Sequence, residues 1–263
     1  MIRIIFKNVG QGDSIILEWI TEGRTSIGII DSNIYEGNNP ILEYLTENQV
    51  KQIEFIILSH FHYDHFSGFP EVFKFCLEKK VKIKYFIHTS ILQVLEIYNR
   101  IFTPKKVENT ATEFFKLFDE LADHNIGDII LADCYTAPIK LTDKENLSFL
   151  APSGKIYHQI AKNIARKSKN IIVSYPDINK LSTITCISDD KNFALITSDA
   201  TKQGFRFINK KILKQLISIQ VPHHGSFNSI NPKFWESVQK IPLCPAIFSV
   251  GIEPKDKLPD YET

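Results

Sequence analysis

The run Phe55-Ile56-Ile57-Leu58 is followed, after one serine, by His60-Phe61-His62-Tyr63-Asp64-His65. A short apolar run of this kind reads as a buried strand, so the polar hexapeptide falls in the loop at the strand's C-terminal end. With 8 His among 263 residues, H-x-H-x-D-H arises by chance in roughly one chain in a few thousand of this composition. One such His alone would more often be satisfied by ordinary hydrogen bonds; four ligand-type residues within six positions point to a cation. In an extended segment residues i and i+2 project to the same side. His60 and His62 can therefore grip one ion, while Asp64 and His65 turn toward a second. Imidazole and carboxylate donors suit zinc, manganese or iron.

Two later segments supply what a two-ion site still lacks. Ala194-Leu195-Ile196-Thr197-Ser198-Asp199 puts a carboxylate just after an apolar strand. Such an Asp can bridge two ions about 3.5–4 Å apart, or it can cap a helix N-terminus. Ile219-Gln220-Val221-Pro222-His223-His224-Gly225-Ser226 again places histidines just beyond a strand; beside the first motif they read as part of the metal site, with a hydrogen-bonded surface pair as the alternative.

Around these motifs the pattern alternates between short β-branched runs and helical stripes. Ile2–Phe6, Ser14–Ile20 and Ser26–Ile30 read as strands joined by Gly-containing turns. Asn39-Pro40 opens an amphipathic helix to about Val50, and a second helix runs from about Phe69 to Lys79. Lys84–Ile87, Leu147–Leu150, Thr183–Ser188, Phe193–Thr197, Ile217–Val221 and Ala246–Val250 read as strands. Helical spacing predicts helices over Ile91–Ile101, Ala111–Ala122, Ile156–Lys167 and Phe205–Leu216. Strands dominate both ends with helices between them, which suits an α+β sheet sandwich flanked by helices. No repeat at solenoid periods and no Pro/Gly/Ser-rich linker divides the chain, so residues 1–263 are read as a single domain.

Net charge is +1 and excludes little, but its distribution is uneven. Between residues 151 and 235 thirteen Lys/Arg face four Asp/Glu, a local excess of nine positive charges. This points to an anionic ligand or to solvated helix faces. The four cysteines at 76, 134, 186 and 244 form no C-x-x-C pair, so they read as small buried hydrophobes in a reducing compartment. No stretch approaches ~18 uninterrupted apolar residues, and the N-terminus lacks a signal-peptide h-region. The expected location is cytoplasmic, with no membrane segment.

The order strand–HxHxDH–strand–Asp–strand–His is similar to that of the metallo-β-lactamase superfamily. Within it the chain resembles the ComEC-type branch, the hydrolase domain of a DNA-uptake protein. The matching pieces are Val9-Gly10-Gln11-Gly12-Asp13-Ser14, Ile29-Ile30-Asp31, the hexapeptide at 60–65, Asn179-Lys180-Leu181-Ser182, Thr197-Ser198-Asp199, the HHGS segment and Phe248-Ser249-Val250-Gly251. The resemblance implies an αββα sandwich, two mixed β-sheets flanked by helices, with metals at one edge of the sheets. It implies His60, His62, Asp64, His65, Asp199 and one of His223 or His224 as ligands to one or two divalent ions, zinc or manganese. We take His223, the first after the strand, as the ligand and His224 as a catalytic or substrate-contacting group. Gly12 and Asp13, in the early turn expected near the active site, are expected substrate contacts together with Asn179, Ser182 and Ser226; Asp31 is expected to be a structural acceptor.

Two departures from the family stand out. Many members carry another His before the bridging Asp, where this chain has Asn179 and Ser182, as the ComEC-type branch does. His158 could fill that place only if its helix folds back. The ComEC-type pattern also has a His-Pro after the SVG segment, where this chain reads Leu258-Pro259, and that family continues with a further helix and strand.

A divalent ion lowers the pKa of its bound water toward ~7, giving hydroxide at neutral pH. Asp64 is expected to orient that water and accept its proton, with His224 stabilising the charge that develops. The resemblance and the basic stretch together favour a phosphodiesterase or nuclease acting on DNA or RNA. A small-molecule hydrolase of lactonase or phosphorylcholine-esterase type stays open, as does a metal-binding regulatory module without catalysis.

Overall fold

The computed structural model describes residues 1–89, 104–168, 177–209, 214–251 and 258–259. Six strands form one sheet in chain order: β1 (Arg3–Phe6), β2 (Ile15–Thr21), β3 (Arg24–Ile30), β4 (Gln52–Leu58), β5 (Lys82–His88) and β6 (Ile126–Leu131). β1–β3 pair antiparallel and β3–β6 pair parallel. Crossover helices α1 (Pro40–Glu47), α2 (Tyr63–Phe66), α3 (Phe69–Lys79) and α4 (Lys105–His124) lie between the parallel strands. The second sheet runs β12 (Gln239–Lys240), β11 (Gln215–Gln220), β10 (Asn192–Ile196), β9 (Ile184–Ser188), β8 (Asn146–Ala151), β7 (Ile139–Lys140), with β13 (Ala246–Ile247) also on β11. It is mixed too: β7–β10 are antiparallel, whereas β10 and β11 run parallel.

The two-residue period of the strands separates three apolar layers. Ile29, Ile56 and Phe86 face α1, α3 and α4, where Phe69, Phe73 and Phe114 pack. Their neighbours Ile30, Ile57 and Ile87 point the other way, onto Leu147, Phe149, Ile187 and Ile196 of the second sheet. Cys186 and Leu195 face outward again, onto Phe205 and Phe234. Central strands buried on both faces read as continuous apolar runs rather than alternating ones, which is why β4 is so plain in the sequence. Two mixed sheets flanked by helices are therefore the architecture, an α+β fold.

The helix expected over Phe205–Leu216 does not form as one element. Gly204–Phe207 is a single 3-10 turn, Ile208 is extended, and Gln215 and Leu216 open β11. Phe205 and Leu216 still share one core, reached from separate elements, so the helical stripe came from residues that converge only in three dimensions. β6 escapes the sequence pattern because Gly127 and Asp128 interrupt an edge strand whose Ile129 and Leu131 stay exposed. The last strand is two residues long instead of five. The helix expected over Ile91–Ile101 lies outside the described residues. No helix among the described residues is long and apolar enough to cross a membrane.

Candidate metal centre

β3 and β4 run parallel, as do β10 and β11, and the loops after these four strands carry Asp31, His60–His65, Asp199 and His223–His224. Backbone bonds stitch the loops together: Thr183 N–H donates to Ser59 O at 3.2 Å, and His223 N–H to Ser198 O at 2.8 Å. The early turn closes beneath them, Asp13 N–H donating to Asp64 O at 3.1 Å. Gly12 is required there. Its φ is +125°, and a Cβ would lie 2.4 Å from Asp64 O and 2.5 Å from Asn33 Nδ2.

Two sets of donor atoms share Asp199. In the first, His60 Nε2 lies 3.1 Å from His62 Nδ1 and 3.8 Å from Asp199 Oδ2, which is 3.6 Å from His223 Nε2. In the second, Asp199 Oδ1 is 3.5 Å from His65 Nε2 and 3.2 Å from His224 Nε2. Asp64 Oδ2 closes that set at 3.8 Å from His65 Nε2 and 3.5 Å from His224 Nε2. Donors that share a tetrahedral ion at 2.0–2.1 Å must sit ~3.3 Å from one another, and these spacings scatter around that value. His65 Nε2, His224 Nε2 and Asp199 Oδ1 are buried without a hydrogen-bond partner, a costly state unless something else satisfies them. The residues thus fit a divalent cation.

The remaining ring nitrogens are held so that the inward ones keep their lone pairs. His65 Nδ1 is 2.8 Å from Asp31 Oδ2, and His224 Nδ1 is 2.7 Å from Ser249 O, an acceptor only. Ser59 Oγ donates to Asp31 Oδ2 at 2.5 Å and accepts from His60 Nδ1 at 3.1 Å. These partners fix tautomer and ring orientation. Gln220 braces the other side: its amide donates to Asp13 Oδ1 at 2.7 Å, and its Oε1 accepts from Thr197 N–H and Ser198 N–H.

Charge divides between the two sets. Burial, helped by neighbouring imidazoles, pushes His60 well below its ordinary pKa, and burial lowers His62 as well, leaving neutral rings. Burial alone would lower His65 and His224 too, but Asp199 and Asp64 outweigh it: His65 is raised well above its ordinary value and His224 to about 9. The same pairs overcome the burial penalty on the acids. His224 and His65 hold Asp199 well below the carboxylate range, and His65 leads in lowering Asp64. Asp31 is raised by burial despite His65. In the metal-free chain, protons on His65 and His224 supply the positive charge that the carboxylates call for.

Asp31, Ser198, His223 and His224 all have positive φ, between 44° and 59°. Left-handed backbone costs roughly 1–2 kcal/mol at a non-glycine residue, and such strain gathers where side chains must be aimed. The consecutive left-handed pair at 223–224 turns both imidazoles toward Asp199.

The structure distributes the sequence candidates as follows. His60, His62, Asp64, His65, Asp199 and His223 all come together. His224, expected outside the ligand set, has its Nε2 within the second one. His223 sits at the mouth, its side chain 31% exposed, its Nδ1 3.1 Å from Ser229 Oγ, and Asn179 Nδ2 3.3 Å from its Nε2. Asn179 Oδ1 and Ser182 Oγ are buried and unpartnered; Ser226 is half-buried on the turn of His223. Asp13 lies beneath the centre, 1% exposed, and does not reach its mouth. Asp31 is an acceptor, though the ring it holds is that of a ligand candidate. His158 is exposed on the helix Gly154–Ser168 and joins no metal-ligand group among the described residues. Ser59, Ser198, Gln220, Ser229 and Ser249 were not foreseen. Ser59 adjoins the hexapeptide, and Ser198 and Ser249 lie in segments that match the family without a role assigned to them, but nothing in the sequence marks Gln220 or Ser229.

Residues 10–100 match the family model for the Metallo-beta-lactamase superfamily. Among solved structures, the chain is similar to a diphosphatase from the PhnP family at 12% identity, over 94% of this chain and 76% of that one, TM-score 0.44. It is also similar to the metallo-beta-lactamase fold protein YhfI from Bacillus subtilis at 10% identity, over 95% and 98%, TM-score 0.41. A long form RNase Z from yeast matches at 10% identity, over 83% of this chain and 32% of that one, TM-score 0.38. No sequence match to a curated protein is found.

Proposed function

We propose that this chain is a metal-dependent hydrolase of phosphodiesters, acting on DNA or RNA. The observation that carries the reading is the convergence of His65 Nε2, His224 Nε2 and Asp199 Oδ1, all buried and lacking hydrogen bonds, around a spacing suited to one cation. We assign His60, His62, Asp199 and His223 to a first ion, and Asp64, His65, Asp199 and His224 to a second. This reading moves His224 from a substrate-contacting role into the ligand set. When bound, a divalent ion supplies an acidified water and a Lewis acid for the oxygen of the bond being cleaved.

The chain's own groups do the rest. Asp31 and the Ser249 carbonyl accept from Nδ1 of His65 and His224, so that each ring, once its second proton is displaced, presents the Nε2 lone pair to the site. Asp64, with its side chain 32% exposed, is the acid of the second set best able to reach solvent, and it accepts the proton of the attacking water. Asn179, beside His223, is the side chain assigned to the nonbridging oxygens or the leaving group, and Ser182, three residues on and buried without a partner, is assigned with it. The basic stretch between residues 151 and 235 also contributes Asp199, His223 and His224, so positive potential accompanies the site and favours an anionic substrate. The shared motifs keep the ComEC-type branch as the proposed affiliation, and the apolar layer common to both sheets supports one domain.

The test is hydrolysis of DNA, RNA and bis-p-nitrophenyl phosphate with Zn²⁺ or Mn²⁺, comparing wild type with Asp64→Ala. Turnover is expected in the former and absent from the latter; full activity in Asp64→Ala would refute the site. Turnover confined to lactones or phosphorylcholine esters would refute the substrate class.

A further inference from the structure

A groove of about 880 Å³ lies between the 3-10 turn Gly204–Phe207 and the helix Pro232–Ser237. Its floor is Phe205 and Phe234, both buried; its walls carry Lys202, Arg206 and Lys233, and no carboxylate lines it. Among the described residues no acidic side chain pairs with Lys202 or Arg206, although Asp and Glu elsewhere pair with Arg3, Lys84, Lys140 and Lys180. Lys202 and Arg206, with no carboxylate partner among the described residues, raise a local positive potential that an anion relieves.

The groove is built by the two loops that build the metal centre. Lys202 follows Asp199 by three residues, and its ammonium sits 4.8 Å from the ring centroid of Phe227, three residues after His224. Asn231 Nδ2 donates to Lys202 O at 3.1 Å, tying the loops together at the groove's inner end. Ser229, two residues before Asn231, holds His223 Nδ1. A chain with a phosphate at the metal centre can therefore pass Lys202 and continue along Arg206.

We propose that this groove binds the backbone phosphates of a single-stranded polynucleotide on one side of the bond to be cleaved. The inference rests on the phosphodiesterase reading for the identity of that bond, but it concerns binding, which needs no turnover. A strand of several nucleotides presents a phosphate at each step, whereas a small diester presents one and ends at the metal centre. Lys202, Arg206 and Lys233 thus select for length without touching the reacting atoms.

The test uses the full chain, EDTA-treated, with a fluorescein-labelled oligothymidylate, and reads anisotropy across a NaCl series. The double variant Lys202→Gln/Arg206→Gln removes two phosphate contacts. Its log–log salt slope should become shallower by about 1.4, at ~0.7 per contact on single strands, with affinity several-fold weaker at low salt. Hydrolysis of bis-p-nitrophenyl phosphate by the metal-loaded variant should equal that of wild type, which also shows that the variant is folded. Unchanged oligonucleotide affinity and slope, or no binding by wild type, would overturn the groove. Absent hydrolysis of the small diester by wild type, with oligonucleotide binding intact, would instead remove the phosphodiesterase reading and leave the groove standing.

Discussion

His224 offers a direct measurement of how far the empty centre depends on protons. Its pKa rises from 6.5 to about 9 in the fold: burial opposes the shift, and Asp199 and Asp64 drive it. A difference of about 2.5 units corresponds to about 3 kcal/mol. Because the folded value is the higher one, this stabilisation is fully present below pH ~6.5 and is lost as pH rises through about 9. Chelator-treated wild type, unfolded with urea near pH 6 and near pH 9.5, should therefore lose about 3 kcal/mol from this group, or ~6–12 °C in Tm. His224→Asn should lose less than wild type by the same amount, since the amide carries no proton to shed. The ion reverses the sign. It needs the neutral ring, so at pH 7 it must displace a proton, and through this ring its affinity should rise about 50-fold between pH 7 and pH 9. An identical pH slope in wild type and His224→Asn would show that Asp199 and Asp64 are not coupled to this ring, and the assignment of the second set would fail.

Asp31→Asn removes the charge facing His65 Nδ1 while keeping the side chain's shape, and should weaken metal binding about 10–100-fold. Competition with a chelating dye measures it; unchanged affinity would make Asp31 purely architectural. Gly12→Ala puts a Cβ 2.4 Å from Asp64 O at a φ of +125° and should cost about 2 kcal/mol or more. A urea midpoint within error of wild type would contradict that packing. Zn²⁺ or Mn²⁺ at about 100 times Kd should add ~2.7 kcal/mol, read as ~5–10 °C in melting temperature. No shift with either ion would count against the centre as a whole.

Much of this protein was legible from local pattern. β4, α3 and the paired strands β9 and β10 follow from runs whose neighbours in sequence are also neighbours in space. The hexapeptide at 60–65 declares itself because the donors of both sets that it contributes lie within six residues of backbone. Asp199 and the HH pair were visible as strand-end residues for the same reason. Only the tertiary structure puts His224 Nε2 between Asp199 and Asp64 and leaves His223 half exposed at the mouth. Alternation along a strand predicts side-chain direction only while the backbone stays extended, and at His223 and His224 it turns left-handed, so order after the strand does not separate the two rings. Spacing could not place Asp31 behind His65 or Gln220 between two sheets, because those contacts span 34 and 207 residues. Nor could it part Phe205 from Leu216, since a stripe of apolar residues looks the same whether one helix buries it or a turn and a strand do.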